Sequence, residues 1–218
     1  MKNELDVLFV NPDSSAKAYQ GLAAVYSAIE PPTWSLLLAE SCRAKQFGVG
    51  ILDCDAERLT LEQAVVRISD ARARLVVFVV YGQNPNSGTT SMIGALGLAK
   101  SLKEQYPGEK VCFVGSHTSA LPMDVLAYNY VDLVLLNEGV YALHNLLKSD
   151  LSEDLPKILG IGYKKKGPGS FAMWVRGRRL EGGARKLCRP VPGGGSNHWS
   201  AVRAAVLVSM RRKCRCWV

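Results

Sequence analysis

The stretch that decides the fold is LVVFVVYG, residues 75–82. Its first six residues are all apolar, four of them are valines, and the run stops at a tyrosine and a glycine. A strand with one face in water alternates apolar and polar residues, whereas a strand covered on both faces is continuously apolar. The stretch therefore predicts a central strand of a parallel sheet with helices on both of its faces.

Further apolar runs flank this one along the chain, at residues 6–10 (DVLFV), 49–52 (VGIL), 111–114 (VCFV) and 132–136 (DLVLL). The segments between the runs space their apolar residues for one face of a helix, and a short helix is expected at 123–128. The residues with helical spacing are Leu36, Leu37 and Ala39, then Leu61, Val65 and Ile68, then Ile93, Leu96, Ala99 and Leu102, and last Leu143, Leu146 and Leu147.

Two of the predicted helices begin with residues of the kind that cap helices. Thr33 follows two prolines and is expected to be the N-cap of the first helix. Thr60 and Gln63 have the spacing of a capping box, in which each side chain bonds to the main chain of the other residue. Strands and helix starts therefore alternate along the chain, as they do in consecutive β–α units.

Five strands that alternate with helices predict an α/β fold. We expect a doubly wound, flavodoxin-like sheet of the Rossmann type, with five parallel strands in the order 2-1-3-4-5. Residues 158–163 (ILGIGY) are expected to add an edge strand or a hairpin. The predicted domain spans residues 1–163. Residues 164–218 are rich in Gly and Arg and are expected to form an irregular or disordered basic tail.

The charge is unevenly divided between these two parts. Residues 1–163 hold 13 Lys and Arg against 18 Asp and Glu, a net charge of −5. Residues 164–218 hold 14 Lys and Arg against one acid, Glu181, a net charge of +13. The overall charge of +8 thus comes from the tail alone. It gives no reason to expect nucleic acid as a partner of the domain, although the tail is basic.

Composition limits the class of protein. A chain of 218 residues, 48% of them hydrophobic, supplies one sizeable core. No run approaches 18 consecutive apolar residues, so no membrane span is expected, and the N-terminus is too polar for a signal peptide. These features predict a cytoplasmic location. The six cysteines are then expected to be free thiols, and they lack the paired spacing of a zinc site.

The carboxyl ends of the predicted strands share a composition that indicates a binding site. In a doubly wound sheet these ends meet at one edge, and ligands bind there. Glycines let main chain approach a ligand, while amides and hydroxyls supply neutral hydrogen bonds. Such a set suits a large, mostly neutral ligand that carries amide groups. The candidate binding residues are Asn11, Pro12, Asp53, Tyr81, Gly82, Gln83, Gly115, Ser116, His117, Asn137, Glu138 and Gly139.

Two other uses of this fold match the sequence poorly. The loop at residues 82–90 (GQNPNSGTT) has five residues between its glycines and no lysine before its threonines, so it is not a Walker phosphate loop. Receiver-type signalling domains need paired acids after the first strand, an aspartate after the third and a lysine after the fifth. The corresponding ends here read Asn-Pro, Tyr-Gly and Asn-Glu. These ends argue against phosphoryl transfer.

Three segments carry a resemblance to a known family. They are residues 30–63 (EPPTWSLLLAESCRAKQFGVGILDCDAERLTLEQ), 114–126 (VGSHTSALPMDVL) and 133–147 (LVLLNEGVYALHNLL). The first resembles a Pro-Pro-Leu-Gly-Leu-type helix followed by a strand and an Asp segment. The others resemble Gly-Gly-x-His-x-Thr-Ala-Leu-Pro-Glu-x-x-Leu and Val-x-Gly-Glu-Gly-Glu-x-x-Leu elements. Together, over about residues 5–163, they resemble the N-terminal domain of cobalamin-dependent radical S-adenosylmethionine enzymes.

The resemblance implies a cobalamin cofactor whose corrin ring and nucleotide tail border the turn at Gly115, Ser116 and His117. The match to the glycine and histidine element is partial, because serine replaces the second glycine and the histidine falls one position early. Cobalamin-dependent mutases ligate cobalt with the histidine of Asp-x-His-x-x-Gly after the first strand. Residues 11–15 (NPDSS) contain no histidine, so no protein ligand to cobalt is expected. His144, on a predicted helix, is expected to be structural.

The chain departs from the family at its other end. Radical enzymes of this class hold their iron–sulfur cluster with Cys-x3-Cys-x2-Cys, and that spacing does not occur in this sequence. The resemblance therefore implies a truncated, cobalamin-binding module without catalytic residues, and a separate radical S-adenosylmethionine domain or chain is its candidate partner. Two alternatives stay open. One is a flavodoxin-like regulatory domain that recognises another small molecule or a partner protein, and the other is a nucleotide-dependent transferase that uses the same edge.

Overall fold

A computed structural model describes residues 4–13, 31–81, 85–165, 170–175 and 178–183. The strands in these segments form one sheet, in the order β2-β1-β3-β4-β5-β6-β7-β8. The first five strands are parallel, and β6, β7 and β8 are antiparallel to their neighbours. The predicted α/β class and the strand order 2-1-3-4-5 are confirmed for the five parallel strands.

The elements alternate along the chain as the sequence predicts. The parallel strands are β1 (Val7–Asn11), β2 (Val49–Asp53), β3 (Val76–Val80), β4 (Val111–Gly115) and β5 (Leu133–Leu135). The helices of the described segments are α1 (Thr33–Arg43), α2 (Leu61–Asp70), α3 (Pro85–Gln105), α4 (Ser116–Ala120), α5 (Pro122–Leu126) and α6 (Val140–Lys148), and a 3-10 turn follows at Leu155–Lys157. The antiparallel strands are β6 (Ile161–Lys164), β7 (Ser170–Val175) and β8 (Arg178–Gly183).

Strands β3, β4 and β5 are fully buried, as is β1 up to Val10, because both faces of the sheet are covered there. Val7 and Phe9 of β1 point to the layer that contains α1 and α6, whereas Leu8 and Val10 point to the layer that contains α2, α3 and α5. Phe78 and Phe113 stack in the second layer, with ring centroids 5.0 Å apart. Burial on both faces is the environment in which continuously apolar strands are stable.

The helix starts agree with the sequence in one case and not in the other. Thr60 accepts a hydrogen bond from the Gln63 main-chain nitrogen, and the Gln63 side chain accepts one from the Thr60 nitrogen, so the capping box is confirmed. The predicted N-cap at Thr33 is wrong, because Pro32 occupies that position and Thr33 is the first helical residue. The Thr33 hydroxyl donates instead to the Pro31 carbonyl.

The sheet continues beyond the predicted domain. A strand within residues 158–163 is confirmed as β6, and Leu133 of β5 pairs with Tyr163. It is not an edge strand, because β7 pairs with its other side. The expectation of an irregular segment after residue 163 is wrong for residues 170–175 and 178–183, which form β7 and β8. Ala172 and Met173 of β7 are buried, so these two side chains pack into the core. The described strands all belong to one compact unit.

Among the helices that the structure describes, none combines the length and the apolar character that a membrane span requires.

Candidate functional site

The carboxyl ends of the parallel strands lie at one edge of the sheet, and β1 and β2 contribute a polar pair to it. Asn11 lies opposite Asp53 in the register of these strands. The Asn11 side-chain amide donates to Asp53 Oδ1 at 2.9 Å, and the same oxygen accepts from the Ala56 main-chain nitrogen at 3.2 Å. Asp53 therefore fixes the orientation of the Asn11 amide. Pro12, the next residue, is buried.

The end of β4 is built around a glycine for a steric reason. Gly115 lies opposite Val80 of β3. A Cβ atom on residue 115 would lie 2.1 Å from the Val80 carbonyl oxygen and 2.8 Å from its carbonyl carbon. No side chain fits at that distance from main-chain atoms. Gly115 thus brings α4, which begins at the next residue, close to the end of β3.

Two hydroxyls of α4 are buried without hydrogen bonds. Within the described part of the chain, neither Ser116 Oγ nor Thr118 Oγ1 has a partner, although both atoms are inaccessible to solvent. Thr118 as a whole is fully buried. A buried hydroxyl without a partner carries a desolvation penalty. Hydroxyls of this kind at the carboxyl edge of a sheet are chemically suited to a ligand that supplies the missing hydrogen bonds.

A hydrogen-bonded group joins β3, α4 and β5 at the same edge. The Tyr81 phenol donates to the Asn137 carbonyl oxygen at 2.8 Å, and the Ser119 hydroxyl donates to that oxygen at 3.3 Å. Burial raises the pKa of Tyr81 to about 12, and the nearby Glu138 carboxylate adds to the rise. Tyr81 therefore remains a neutral donor at physiological pH.

The turn after β5 requires a left-handed main chain at two positions. Asn137 has a φ angle of 56° and Gly139 one of 70°. A Cβ atom at residue 139 would also lie 2.8 Å from Leu135 Cβ. Asparagine and glycine are the residues that adopt this conformation most readily. The turn leads directly into α6, whose first hydrogen bond runs from the Leu143 nitrogen to the Gly139 carbonyl.

Trp34 belongs to this edge and was missed by the sequence prediction. It lies in the first turn of α1, and its ring stacks on Tyr81 with centroids 4.4 Å apart and an interplanar angle of 22°. Trp34 remains 38% exposed. The signal in the sequence is an aromatic residue two positions after Pro31-Pro32, where a helix is expected to start at the ligand-binding edge.

The two described histidines have different surroundings. His117 lies in α4, and burial lowers its pKa, while Asp124 opposes that effect. His144 lies in α6, and its Nε2 is 2.8 Å from the Ser41 hydroxyl of α1. That contact links two helices of one layer and agrees with the structural role expected for His144. Burial also lowers the pKa of His144.

The described cysteines are buried and free. They are Cys42, Cys54 and Cys112, and burial raises the pKa of each thiol, to about 12 for Cys42 and Cys54. Protonated thiols of this kind are poor nucleophiles and poor metal ligands. In the segments that the structure describes, no group of three or more His, Cys, Asp and Glu side chains is arranged to hold a metal ion.

The structure thus places predicted residues in two hydrogen-bonded groups. One is Asn11 with Asp53, and the other is Tyr81 with Asn137. Ser119, which the sequence prediction missed, adds a second donor to Asn137. Gly115 ends β4 and is followed by Ser116 and His117, while Glu138 and Gly139 follow β5, at the same edge. Gly82 and Gln83 lie outside the described residues, as does Asn84 of the same loop.

Comparison with known proteins agrees with this geometry. The family model of the B12 binding domain matches residues 19–147. A search of curated proteins finds no match. The solved radical S-adenosylmethionine methyltransferase TsrM from Kitasatospora setae, with cobalamin and a [4Fe-4S] cluster bound, is 17% identical with a TM-score of 0.56. The match covers 73% of this chain and 29% of that one.

A second solved structure has the same fold. It is the cobalamin-dependent S-adenosylmethionine radical enzyme OxsB with aqua-cobalamin and S-adenosylmethionine bound, 21% identical with a TM-score of 0.54. The match covers 79% of this chain and 22% of OxsB, so this chain spans about a quarter of the length of either relative. The predicted resemblance to the cobalamin-binding part of these enzymes is confirmed at the level of the fold. With more than half of its residues matched by the family model, the chain belongs to the B12-binding domain family.

Proposed function

We propose that this chain is the cobalamin-binding module of a radical S-adenosylmethionine methyltransferase-like system, and that the corrin lies over the carboxyl edge of the sheet. The observation that carries the proposal is the pair of buried hydroxyls of Ser116 and Thr118, which find no partner among the described residues. They follow Gly115, whose missing side chain keeps the main chain of β3 and β4 close together at this point. A ligand that enters there supplies the missing hydrogen bonds.

The donor set fits cobalamin better than a phosphorylated ligand. Cobalamin is a large molecule with many neutral amide groups, and the edge offers the Asn11 amide, the Asn137 turn and the hydroxyls of α4. Asp53 adds a carboxylate rather than a cation. A nucleotide triphosphate requires cations near its phosphates, and neither β1 nor β4 ends in one. In this proposal α4 borders the nucleotide tail, and the ends of β3 and β5 border the corrin.

If bound, cobalamin would supply a cobalt centre that can carry a methyl group for transfer. The residues of this chain hold and orient the cofactor, and none is assigned a step of chemistry. Asp53 orients Asn11, and Tyr81 and Ser119 fix the Asn137 turn. Because Tyr81 is a neutral phenol whose proton is engaged by a carbonyl oxygen, it is not assigned as a cobalt ligand.

The catalytic partner is part of the proposal. TsrM and OxsB carry about three quarters of their length beyond the matched region. The TsrM structure holds a [4Fe-4S] cluster, and the cluster motif does not occur in the sequence of this chain. We therefore assign radical chemistry to a separate domain or chain. The predicted cytoplasmic location stays a prediction.

Retention of the cofactor tests the proposal. The full chain is incubated with hydroxocobalamin and desalted, and its visible spectrum is recorded. We expect close to one corrin per chain. Flavin mononucleotide and ATP are tested in parallel, because the two alternative functions predict retention of a flavin-like small molecule or a nucleotide. The proposal would be contradicted if the protein elutes without hydroxocobalamin, or if it retains a nucleotide instead.

A further inference from the structure

Trp34 and Tyr81 form an aromatic pair at the carboxyl edge of the sheet. Their rings differ in chemistry from the hydroxyl and amide donors of the same edge. Helix α1 begins at this edge because the chain crosses over from the end of β1, and Trp34 lies in its first turn. The indole stacks on the Tyr81 ring at 4.4 Å. The stack thus brings the start of α1 together with the end of β3.

A hydrogen bond of the Tyr81 hydroxyl holds the aromatic pair in place. The Tyr81 phenol donates to the Asn137 carbonyl oxygen, which also accepts from Ser119. Residues that follow three neighbouring strands, β3, β4 and β5, therefore restrict the Tyr81 ring on which Trp34 stacks. A stacked ring that is hydrogen-bonded at its far end loses little further freedom when a ligand binds, which favours affinity.

The remaining surface of Trp34 is open. The residue is 38% exposed although its ring stacks on Tyr81. A large flat apolar surface at a ligand-binding edge is typical of sites for bulky, largely apolar ligands. The corrin ring presents such a surface, because its periphery is covered with methyl and methylene groups.

We propose that Trp34, backed by Tyr81, is a binding residue for the corrin ring, distinct from the α4 hydroxyls that border the nucleotide tail. The inference rests on the proposed function and deepens it. It predicts that the corrin and the tail are recognised by different parts of the edge. Loss of the indole then weakens the binding of any corrinoid, whether or not it carries a nucleotide tail.

The chain offers a matched control for this proposal. Tyr128 and Tyr130 form a second aromatic stack, with centroids 5.2 Å apart and an interplanar angle of 24°. Tyr128 is 39% exposed, almost the same fraction as Trp34. The Tyr128 pair lies just before β5 begins, at the opposite edge of the sheet. Removing it changes an exposed aromatic stack without changing the binding edge.

Two corrinoids distinguish recognition of the corrin ring from recognition of the nucleotide tail. Hydroxocobalamin carries the nucleotide tail, whereas dicyanocobinamide has the corrin without it. The full chain and its variants Trp34→Ala, Trp34→Phe and Tyr128→Ala are titrated with each, by equilibrium dialysis and visible absorbance. We expect Trp34→Ala to weaken both ligands by about tenfold, which corresponds to about 1.4 kcal/mol. Trp34→Phe should keep most of the affinity, and Tyr128→Ala should keep all of it. Unchanged binding of both corrinoids by Trp34→Ala overturns the inference.

A direct measurement covers the case in which Trp34→Ala does not fold. The chain is labelled with 5-fluorotryptophan, and the Trp34 resonance is assigned by its loss in Trp34→Phe. We expect that resonance to shift when either corrinoid is added. If absorbance shows bound corrinoid but the Trp34 resonance does not shift, this inference is wrong, whereas the proposed function still holds. Failure of the wild-type chain to retain either corrinoid removes both.

Discussion

The Tyr81 phenol and the Asn137 carbonyl oxygen, 2.8 Å apart, join the ends of β3 and β5 across β4. Strand β4 lies between them in the sheet, and its last residue is Gly115. Because glycine has no side chain, the end of β4 adds no bulk between the two neighbouring strand ends. The hydrogen bond also fixes the turn in which Asn137 and Gly139 have positive φ angles.

Removal of the Tyr81 hydroxyl tests this connection. We expect Tyr81→Phe to lower the free energy of unfolding by about 1 kcal/mol, because the Asn137 carbonyl loses one of its two donors. Urea denaturation measures the difference. Tyr141→Phe is the control, because Tyr141 is 84% exposed and its change should have no effect. Equal stability of Tyr81→Phe and wild type would show that the hydrogen bond does not fix the turn.

Substitution of Gly115 tests the close approach of β3 and β4. Gly115→Ala places a Cβ atom 2.1 Å from the Val80 carbonyl oxygen, so main chain must shift. We expect a loss of about 3 kcal/mol or more, or failure to fold. Gly108→Ala is the control, since a Cβ atom there meets nothing within 4 Å. Its stability should stay equal or rise by about 0.5 kcal/mol. Thermal unfolding of both variants decides the matter, and similar midpoints would refute the steric argument.

The buried hydroxyl of Thr118 predicts opposite effects on stability and on binding. Thr118→Val keeps the shape and removes a hydroxyl that has no partner among the described residues. We expect the ligand-free protein to gain about 1 kcal/mol, because the desolvation penalty disappears. The dissociation constant for hydroxocobalamin should rise about tenfold, the loss of one good hydrogen bond.

Thr118→Ser is the matched variant, because it keeps the hydroxyl and should keep the affinity. Urea denaturation without ligand and titration with hydroxocobalamin give the two quantities. A Thr118→Val variant that is less stable and binds normally would show that the hydroxyl is satisfied within the protein.

Both described histidines predict lower stability in mild acid. Burial lowers the pKa of His117 and of His144, so the folded protein binds their protons more weakly than the unfolded chain. Stability is therefore complete above the ordinary histidine pKa of 6.5 and falls as the pH drops through that value. Urea denaturation at pH 7.5 and 5.5 measures the fall. His117→Gln and His144→Gln should each reduce it, and an unchanged difference in both would contradict the assignment.

The parallel part of the fold could be predicted because its signal is local. The run at residues 75–80, for example, is continuously apolar, short and rich in valine, which is the pattern of a strand buried on both faces. The apolar run at 171–175 (FAMWV) was present in the sequence as well. Its surroundings of Gly, Lys and Arg suggested a loop, and pairing with β6 is a long-range contact that composition does not encode.

The sequence predicted which residues lie at the carboxyl edge of the sheet, but not which of them contact one another. Strand ends identified Tyr81 and Asn137 separately, but their hydrogen bond joins residues 56 positions apart in the chain. The short helix α4 was expected to be a turn, since Ser-His-Thr-Ser has weak helix propensity. Leu36 and Leu37 lie in α1 as predicted, yet they are exposed, because Leu38, Ala39 and Cys42 face the sheet.

Strand β7 has a consequence for how the protein behaves at high concentration. A chain cut after residue 163 would end within β6 and leave the outer main-chain groups of that strand unpaired. Exposed strand borders recruit other strands, and copies of such a fragment would add to one another in register. Pairing with β7, which in turn pairs with β8, covers the outer main-chain groups of β6 and prevents such self-association. A fragment of this protein that is to stay in solution should therefore extend through residue 183.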